Sequence, residues 1–318
     1  MRMQRYKKSE LFMIFLMIST SVYILWTETS FKQSIVENFK KLRYIGNYSP
    51  PVYVITQTHR TPTQLPDLTR LGNTLKHVSN LFWIIVEETN KPTEAVTELL
   101  ERMKFPYVYL TCKFSFLIYF KIQVFYSNDN VNNMNQLQVP AGNYQDENIR
   151  KISNRNRALE WLRSNAVDGV FFFADENRTF DPRLFEDIRS TKKISMFPVG
   201  LTSNGLSSPV VRDNKLIGFY SGWRPERKYP VDTSSFAINV NFFLSRPDAS
   251  IPRNAHEQED GFLKKLEPFG MDEIELLASS CTKILVWKTE TVQCDKPKAI
   301  DLEKYKNTNL EKLANVAT

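Results

Sequence analysis

The sequence predicts an α/β fold with a mostly parallel sheet behind an N-terminal membrane anchor, and three observations support it. Short apolar runs alternate with segments of helical spacing along much of the 318 residues, which is the pattern of βαβ units. The run Gly169–Ala174 (GVFFFA) has no polar interruption, as expected for a strand covered on both faces. Residues 11–26 form an uncharged stretch behind a basic tail, which is typical of a signal anchor.

The N-terminal segment predicts the topology. Residues 11–26 read LFMIFLMISTSVYILW, and a helix of this length is about 24 Å long, shorter than the roughly 30 Å hydrocarbon core. Among the first ten residues are four cations and one anion. Because loops rich in Lys and Arg stay cytosolic, residues 1–10 are predicted to be a cytosolic tail and the remainder lumenal. A short span suits the thin membranes of the early secretory pathway; a cleaved signal peptide is the alternative.

The rest of the chain divides by composition. Residues 27–50 are predicted to be a stem, in which Asn47 begins the glycosylation sequon NYS. A folded domain is expected over 51–294, followed by a polar tail over 295–318. Residues 111–150 fit this domain poorly, because an aromatic stretch is followed by one rich in Asn and Gln. We interpret them as an atypical insertion; a second membrane span is the alternative, although two lysines interrupt it.

Each element of the domain follows from its local pattern. Apolar runs rich in β-branched and aromatic residues predict strands at Val52–Thr56, Leu81–Val86, Pro106–Leu110, Gly169–Ala174, Ile194–Val199, Ser234–Leu244 and Thr282–Trp287. Apolar residues at helical spacing predict helices at 63–79, Thr93–Met103, Asn154–Ser164, Pro182–Arg189 and Glu257–Leu266. Residues Asp213–Lys215 are predicted to be the turn of a hairpin.

Composition excludes several classes of protein. With 42% hydrophobic residues the chain is not disordered throughout. The net charge of +7 comes without a dense basic stripe, so nucleic acid is not an expected partner. Three cysteines cannot build a disulfide framework, and their spacing is not that of a zinc site.

The candidate site begins where the apolar strand FFFA ends, at Asp175, Glu176 and Asn177. Ligands of open α/β sheets bind beyond the carboxyl ends of the strands. Acidic side chains at that place can hold a divalent cation that neutralises the phosphates of a nucleotide leaving group. An ordinary solvated turn is the alternative interpretation of the same residues.

Longer stretches over about 52–290 resemble one family. They include NRNRALEWLR, VFFFADENRTF, IGFYSGWRPERKYPVD, QEDGFLKKL and SSCTKILVW, and they are similar to the β-1,3-glucuronyltransferases of glycosyltransferase family 43. The resemblance implies a GT-A fold, Mn²⁺ as cofactor, and inverting transfer of glucuronate from UDP-glucuronate to a terminal galactose of a proteoglycan linkage glycan. It also implies a single-pass type II protein of the Golgi membrane, and a homodimer.

The resemblance assigns roles to individual residues. Glu259, in QEDGFL, is expected to be the catalytic base that accepts the proton of the galactose hydroxyl; without the resemblance, an acid at a helix start interacts with the helix dipole. The residues that match donor-binding positions are His59, Glu88, Arg155, Asp175, Glu176 and Lys288. The residues that match acceptor-binding positions are Trp223, Arg227 and Asp232.

Two departures bear on activity. Asn177 stands where the family has a third, metal-coordinating acid, so a metal ion there would have an uncharged ligand and reduced affinity. Glu290 stands where the family has an arginine near the donor diphosphate, which reverses a charge. These changes leave two alternatives open: a catalytically weakened family member that binds glycan or dimerises with an active enzyme, or a transferase with an altered donor.

Overall fold

The computed structural model describes residues 49–112, 147–203, 205–221, 226–254 and 257–292, together with 303–304, 306–310 and 313. The predicted cytosolic tail, the anchor, nearly all of the stem with Asn47, and most of the 111–150 insertion lie outside this part of the chain. By its internal contacts the chain divides into Met1–Ser49 and Pro50–Thr318, and the second unit contains every element below. No helix among the described residues is long and apolar enough to cross a membrane.

The first half of the domain alternates strand and helix, as the sequence predicts. Its elements are β1 (Val52–Thr58), α1 (Gln64–Leu75), β2 (Leu81–Glu87), α2 (Glu94–Met103), β3 (Tyr107–Thr111), α3 (Glu147–Asn165), β4 (Val170–Phe173), β5 (Arg178–Phe180) and α4 (Arg183–Ile188).

The second half is richer in short strands. Its elements are β6 (Ile194–Met196), β7 (Val199–Gly200), β8 (Leu206–Arg212), β9 (Lys215–Tyr220), β10 (Phe236–Asn239), α5 (Val240–Leu244), α6 (Gln258–Lys265), β11 (Ile274–Leu276) and β12 (Val286–Lys288). Two short 3₁₀ turns, Thr233–Ser235 and Met271–Glu273, precede β10 and β11.

The larger sheet has seven strands in the order β11-β6-β10-β4-β1-β2-β3. Strands β3, β2, β1 and β4 run parallel to one another, and β6 and β11 are parallel to each other, whereas β10 lies between β4 and β6 and is antiparallel to both. The sheet is therefore mixed but mostly parallel, and the predicted α/β class is confirmed. A second sheet of five strands has the order β5-β12-β7-β8-β9 and contains the predicted hairpin.

Strand β4 is apolar throughout because both of its faces are covered. Phe171 and Phe173 belong to the core cluster that contains Leu159 and Leu162 of α3. Phe172 belongs to the cluster formed with α1, α2 and α4. Covering both faces leaves only the carboxyl end of β4 open for polar chemistry.

Three sequence predictions were wrong in detail. The predicted strand Ser234–Leu244 ends at Asn239, whose side-chain oxygen accepts a hydrogen bond from the Phe242 amide at 3.1 Å and caps α5. The predicted strand Thr282–Trp287 begins only at Val286. Before it, residues 278–281 have φ angles of 53°, 56°, 52° and 62°, a left-handed turn that non-glycine residues seldom adopt. The predicted strand Ile194–Val199 is divided between β6 and β7.

Candidate active site

The site is built on the parallel pair β1 and β4. Residues Val52 and Ile55 of β1 pair with Val170 and Phe173 of β4, so the two strands end at the same edge of the sheet. Beyond the paired residues, the Ala174 amide donates to the Ile55 carbonyl at 2.8 Å. This register places the end of β1 beside the acidic turn that follows β4.

A cavity of about 320 Å³ opens at this edge. Its walls come from β1, α1, β2, α3, the turn after β4 and the chain after β12, and they consist of Gln57, Thr58, His59, Thr61, Thr63, Asp67, Glu88, Lys151, Asn154, Asp175, Glu176, Asn177, Glu290 and Thr291. Five of the predicted site residues therefore line one cavity: His59, Glu88, Asp175, Glu176 and Asn177. The position agrees with the rule that ligands bind beyond the carboxyl ends of parallel strands.

Asp175 is paired with Arg155 of α3. The Arg155 Nη2 donates to both Asp175 carboxylate oxygens at 3.2 and 3.0 Å, and both side chains are largely buried. Burial by itself would raise the pKa of Asp175, but the charges of Arg155 and Arg178 outweigh it and lower that pKa. The Arg155 Nη1 also donates to Gln258 Oε1 at 3.1 Å, so one guanidinium connects the acidic turn to the start of α6.

Glu176 has a different environment from Asp175. Its Oε2 accepts a hydrogen bond from the Thr58 hydroxyl at 2.5 Å, and its Oε1 lies 3.9 Å from the His59 Nδ1. Burial is the main cause that raises the pKa of Glu176 to about 8, with further contributions from nearby acids such as Asp67. Burial therefore favours the protonated form of the Glu176 carboxyl.

Asn177 is bonded to the residue that follows it. The Arg178 Nη1 donates to the Asn177 Oδ1 at 3.0 Å. The Arg178 Nη2 donates to both oxygens of Asp232, at 3.2 and 3.0 Å. The Arg178 side chain is only 8% exposed, so a buried cation lies immediately beside the predicted metal position.

These side chains do not fit a divalent cation as they are arranged. Such ions favour charged carboxylate oxygens, yet both Asp175 oxygens accept from Arg155 and the Asn177 amide oxygen accepts from Arg178. Within the described ranges no group of three or more His, Cys, Asp or Glu side chains could hold a metal ion. The manganese requirement stays a prediction from the family resemblance.

Glu259, the predicted base, lies in the first turn of α6. Its Oε1 accepts from the Thr233 hydroxyl at 2.6 Å and its Oε2 accepts from the Arg227 Nη1 at 3.2 Å. The neighbouring Asp260 instead accepts from the Tyr229 amide at 2.8 Å and from the Lys264 Nζ at 2.6 Å. Of these two adjacent acids, Asp260 is a buried structural residue and Glu259 is partly open, at 18% exposure.

Glu259 does not itself line the cavity, but hydrogen bonds connect the acidic turn with residues that are neighbours of Glu259 or of its partner Thr233 in the chain. Arg155 donates to Asp175 and to Gln258, which precedes Glu259 in the chain. Arg178 donates to Asn177 and to Asp232, and Thr233, which follows Asp232, donates to Glu259.

The remaining predicted residues lie as follows. Arg227 is buried, and Asp232 also caps the 3₁₀ turn by accepting from the Ser234 amide at 2.9 Å. Lys288 does not line the cavity; its Nζ lies 3.8 Å from the Glu290 Oε1, at the surface. Glu290 does line it while 68% exposed. Trp223 lies outside the described residues.

Glu88, which lines the cavity, is paired with Arg150 of α3. The Arg150 Nε lies 3.1 Å from the Glu88 Oε1, so the predicted uracil-reading acid is held by a guanidinium of α3. His59 is more open, with 44% of its side chain exposed.

Sequence reasoning missed several residues of the site. Lys151 and Asn154 line the cavity from α3, and the spacing of three places them on one helix face. They were missed because the predicted helix began at Asn154, whereas α3 begins seven residues earlier. Asn154 is buried, and its Oδ1 has no hydrogen-bond donor. Such an atom is available to a ligand.

Fold and site together define an α/β protein with a ligand cavity at the carboxyl edge of its parallel strands. The chain belongs to glycosyltransferase family 43, whose family model matches residues 71–292. This finding confirms the family resemblance noted in the sequence.

Curated relatives support the assignment. The chain is 42% identical over 284 residues to galactosylgalactosylxylosylprotein 3-beta-glucuronosyltransferase P of Drosophila melanogaster, covering 87% of this chain and 54% of the relative. It is 32% identical over 269 residues to the Drosophila S enzyme, covering 84% of this chain and 59% of the relative. It is 34% identical over 251 residues to the human enzyme 2, covering 76% of this chain and 69% of the relative. The chain thus spans between half and two thirds of the two Drosophila proteins.

Similarity to solved structures is lower. Residues 1–349 of TarS from S. aureus align with a TM-score of 0.42 and 13% identity, covering 75% of this chain and 60% of that one. A similarity at this level carries no argument about function.

Proposed function

We propose that this protein is an inverting glycosyltransferase of GT-A fold, which transfers glucuronate from UDP-glucuronate to a terminal galactose in β-1,3 linkage. The observation that carries the proposal is the connected pair of sites: a polar cavity at the end of β4, and Glu259 joined to it through Gln258, Arg155 and Asp175. The names of the curated relatives support the donor sugar and the acceptor class.

In the proposed reaction the cavity binds the UDP portion of the donor and Glu259 acts at the acceptor. A galactose hydroxyl attacks the anomeric carbon of glucuronate while its proton passes to a Glu259 oxygen. The new C–O bond forms as the bond between the anomeric carbon and the phosphate oxygen breaks, so UDP leaves and the anomeric centre inverts. The bonds from Thr233 and Arg227 fix the orientation of the carboxylate that accepts the proton.

Arg227 and Asp232 are proposed to bind the acceptor sugar, together with Trp223. Charged groups of this kind hydrogen-bond sugar hydroxyls, and an indole face packs against a pyranose ring. We place the protein in the Golgi membrane as a single-pass type II chain and a homodimer, on the family resemblance and on the N-terminal apolar segment.

One observation favours a second candidate, a transferase with an altered donor. Glu290 lines the cavity as an acid at the position where the family has an arginine near the donor. A carboxylate there repels the carboxylate of glucuronate and disfavours that sugar over a neutral one.

A donor panel tests both candidates. The full-length chain in detergent is incubated with a galactosyl-galactose acceptor and, in turn, UDP-glucuronate, UDP-glucose, UDP-galactose, UDP-xylose or UDP-N-acetylglucosamine, each with and without Mn²⁺. We expect product from UDP-glucuronate. Product from a neutral sugar alone supports the altered donor, and UDP binding without any product supports a weakened, glycan-binding family member.

A further inference from the structure

Arg178, the first residue of β5, occupies an unusual place in the site. Its side chain is buried, and its guanidinium bridges the Asn177 amide oxygen and the Asp232 carboxylate. Its Nε has no acceptor. A buried guanidinium with one donor unsatisfied is unfavourable unless a further acceptor is present.

Arg178 does not line the cavity itself, but Asn177, to which its guanidinium is bonded, does. Its charge therefore acts on a phosphate in the cavity at short range through the protein, where a buried charge is screened less than at the surface. Arg155 is likewise buried and pairs with Asp175, another residue of the cavity wall.

The same residues leave little room for a metal ion. The Asn177 Oδ1, which is the predicted metal ligand, already accepts from a cation. A divalent ion and the Arg178 guanidinium would compete for that oxygen and would repel one another.

We propose that the Arg178 guanidinium supplies the positive charge that a divalent cation would supply at the end of β4, so that donor binding by this chain does not require a divalent cation. The inference rests on the proposed function, because it presupposes a nucleoside diphosphate donor. Preorganised arginine donors stabilise a departing phosphate without reorganisation during the reaction.

The direct test is calorimetry of UDP binding to the full-length wild-type chain, once in EDTA and once in Mn²⁺. We expect the two dissociation constants to agree within about three-fold. Electron paramagnetic resonance of free Mn²⁺ adds an independent readout: the protein with UDP should lower the free-ion signal no more than UDP alone does. Binding of UDP only in Mn²⁺, with stoichiometric uptake of the ion, would overturn the inference while leaving the proposed function intact. Absence of UDP binding in both buffers would overturn both.

Variants separate the charge of Arg178 from its structural bonds. Arg178→Gln should weaken UDP binding in EDTA by about ten-fold or more, the effect of removing a buried positive charge beside the cavity, and Arg178→Lys should retain part of the affinity. The matched control is Arg183→Gln, which removes an exposed arginine that pairs with Asp181 and should leave the affinity unchanged. Equal affinity of Arg178→Gln and wild type would contradict the inference.

A second variant remains informative if Arg178→Gln folds poorly. Asn177→Asp combined with Arg178→Asn provides a charged metal ligand and removes the competing cation. We expect this double variant to bind UDP tightly only in Mn²⁺. Unchanged, metal-independent binding by a folded double variant would show that Arg178 is not the source of the charge.

Discussion

The two ends of the site differ in how their charges are held. At the Glu259 end, a carboxylate is fixed by the Thr233 hydroxyl and the Arg227 guanidinium, and these residues lie in stretches that match the family. At the cavity end, Arg178 bridges Asn177 and Asp232, and the acid Glu290 lines the wall. The comparison teaches that the proposed base is held by two direct bonds, whereas the cavity depends on buried ion pairs.

The charged residues near the cavity differ in their exposure to water. At the end of β12, Lys288 and Glu290 are 41% and 68% exposed, so water screens both of them. Near Asp175, the Arg155 and Arg178 side chains are only 5% and 8% exposed, where a charge acts more strongly. The buried arginines are therefore screened by water less than the charged residues at the end of β12.

The largest expected effect is at the Glu259 end. Glu259→Gln removes the proton acceptor but keeps the shape and the hydrogen-bond acceptor for Thr233. We expect turnover to fall by about 10²–10⁴-fold, with the dissociation constant of UDP changed less than two-fold. Initial rates and calorimetry on the same preparation measure both quantities. Turnover near the wild-type value would remove Glu259 as the base.

At the cavity end, the expected effect is a loss of stability. Asp175→Asn leaves the buried Arg155 charge without its counter-ion, which typically costs about 3–5 kcal/mol of unfolding free energy. Urea denaturation measures the change. Asp181→Asn is the control, because Asp181 pairs with an exposed arginine at the surface and should matter far less. Equal effects of the two variants would mean that the Asp175–Arg155 pair is not buried as described.

The pH dependence of stability should report on Glu176. Its pKa is raised from 4.5 to about 8 in the folded protein, so between about pH 4.5 and pH 8 the folded state binds a proton that the unfolded state releases. Stability due to this group is therefore highest at low pH and is lost as the pH rises through that window. Glu176→Gln removes the loss, so its advantage over wild type should grow by a few kcal/mol from pH 5 to pH 8. Parallel stability curves for the two proteins would contradict the assignment.

A smaller effect is expected at Glu290, because its side chain is mostly exposed. Glu290→Arg should tighten binding of UDP-glucuronate by about three- to ten-fold at low salt, and the gain should shrink as salt is added. Glu98→Arg, an exposed position on α2, makes the same charge change away from the cavity. If both variants bind equally well, the effect belongs to net charge and not to the cavity.

The core of the fold could be predicted because it depends on local apolar patterns. Strand β4 is an uninterrupted apolar run, and β1 and β2 begin with the apolar runs VYVI and LFWIIV, as expected for strands that are buried on both faces. The acidic turn was predictable as a site because a strand end is where parallel sheets bind ligands. The start of α5 was signalled locally by Asn239, which is a common N-cap residue. The apolar residues around it nevertheless led to the prediction of a continuous strand.

The charge distribution of the site could not be predicted from local sequence patterns. Arg178 follows Asn177 directly in sequence, yet its bonds to Asp232 depend on the cap of a 3₁₀ turn 54 residues away in the chain. Arg155 likewise joins a residue of α6 and one of the turn after β4, which are 103 and 20 positions distant. The pairing of buried charges that are distant in the chain depends on the tertiary structure, and neither the spacing of residues nor the composition of the sequence predicts it.

The central claim is that the cavity at the end of β4 binds the uridine nucleotide of the donor. Photolabelling of the full-length wild-type chain with 5-azido-UDP-glucuronate, followed by peptide mapping, tests it most directly. The account predicts label on residues that line the cavity, such as His59 or Lys151, and loss of that label when excess UDP is present. Label confined to other parts of the chain, or label that UDP does not displace, would contradict it.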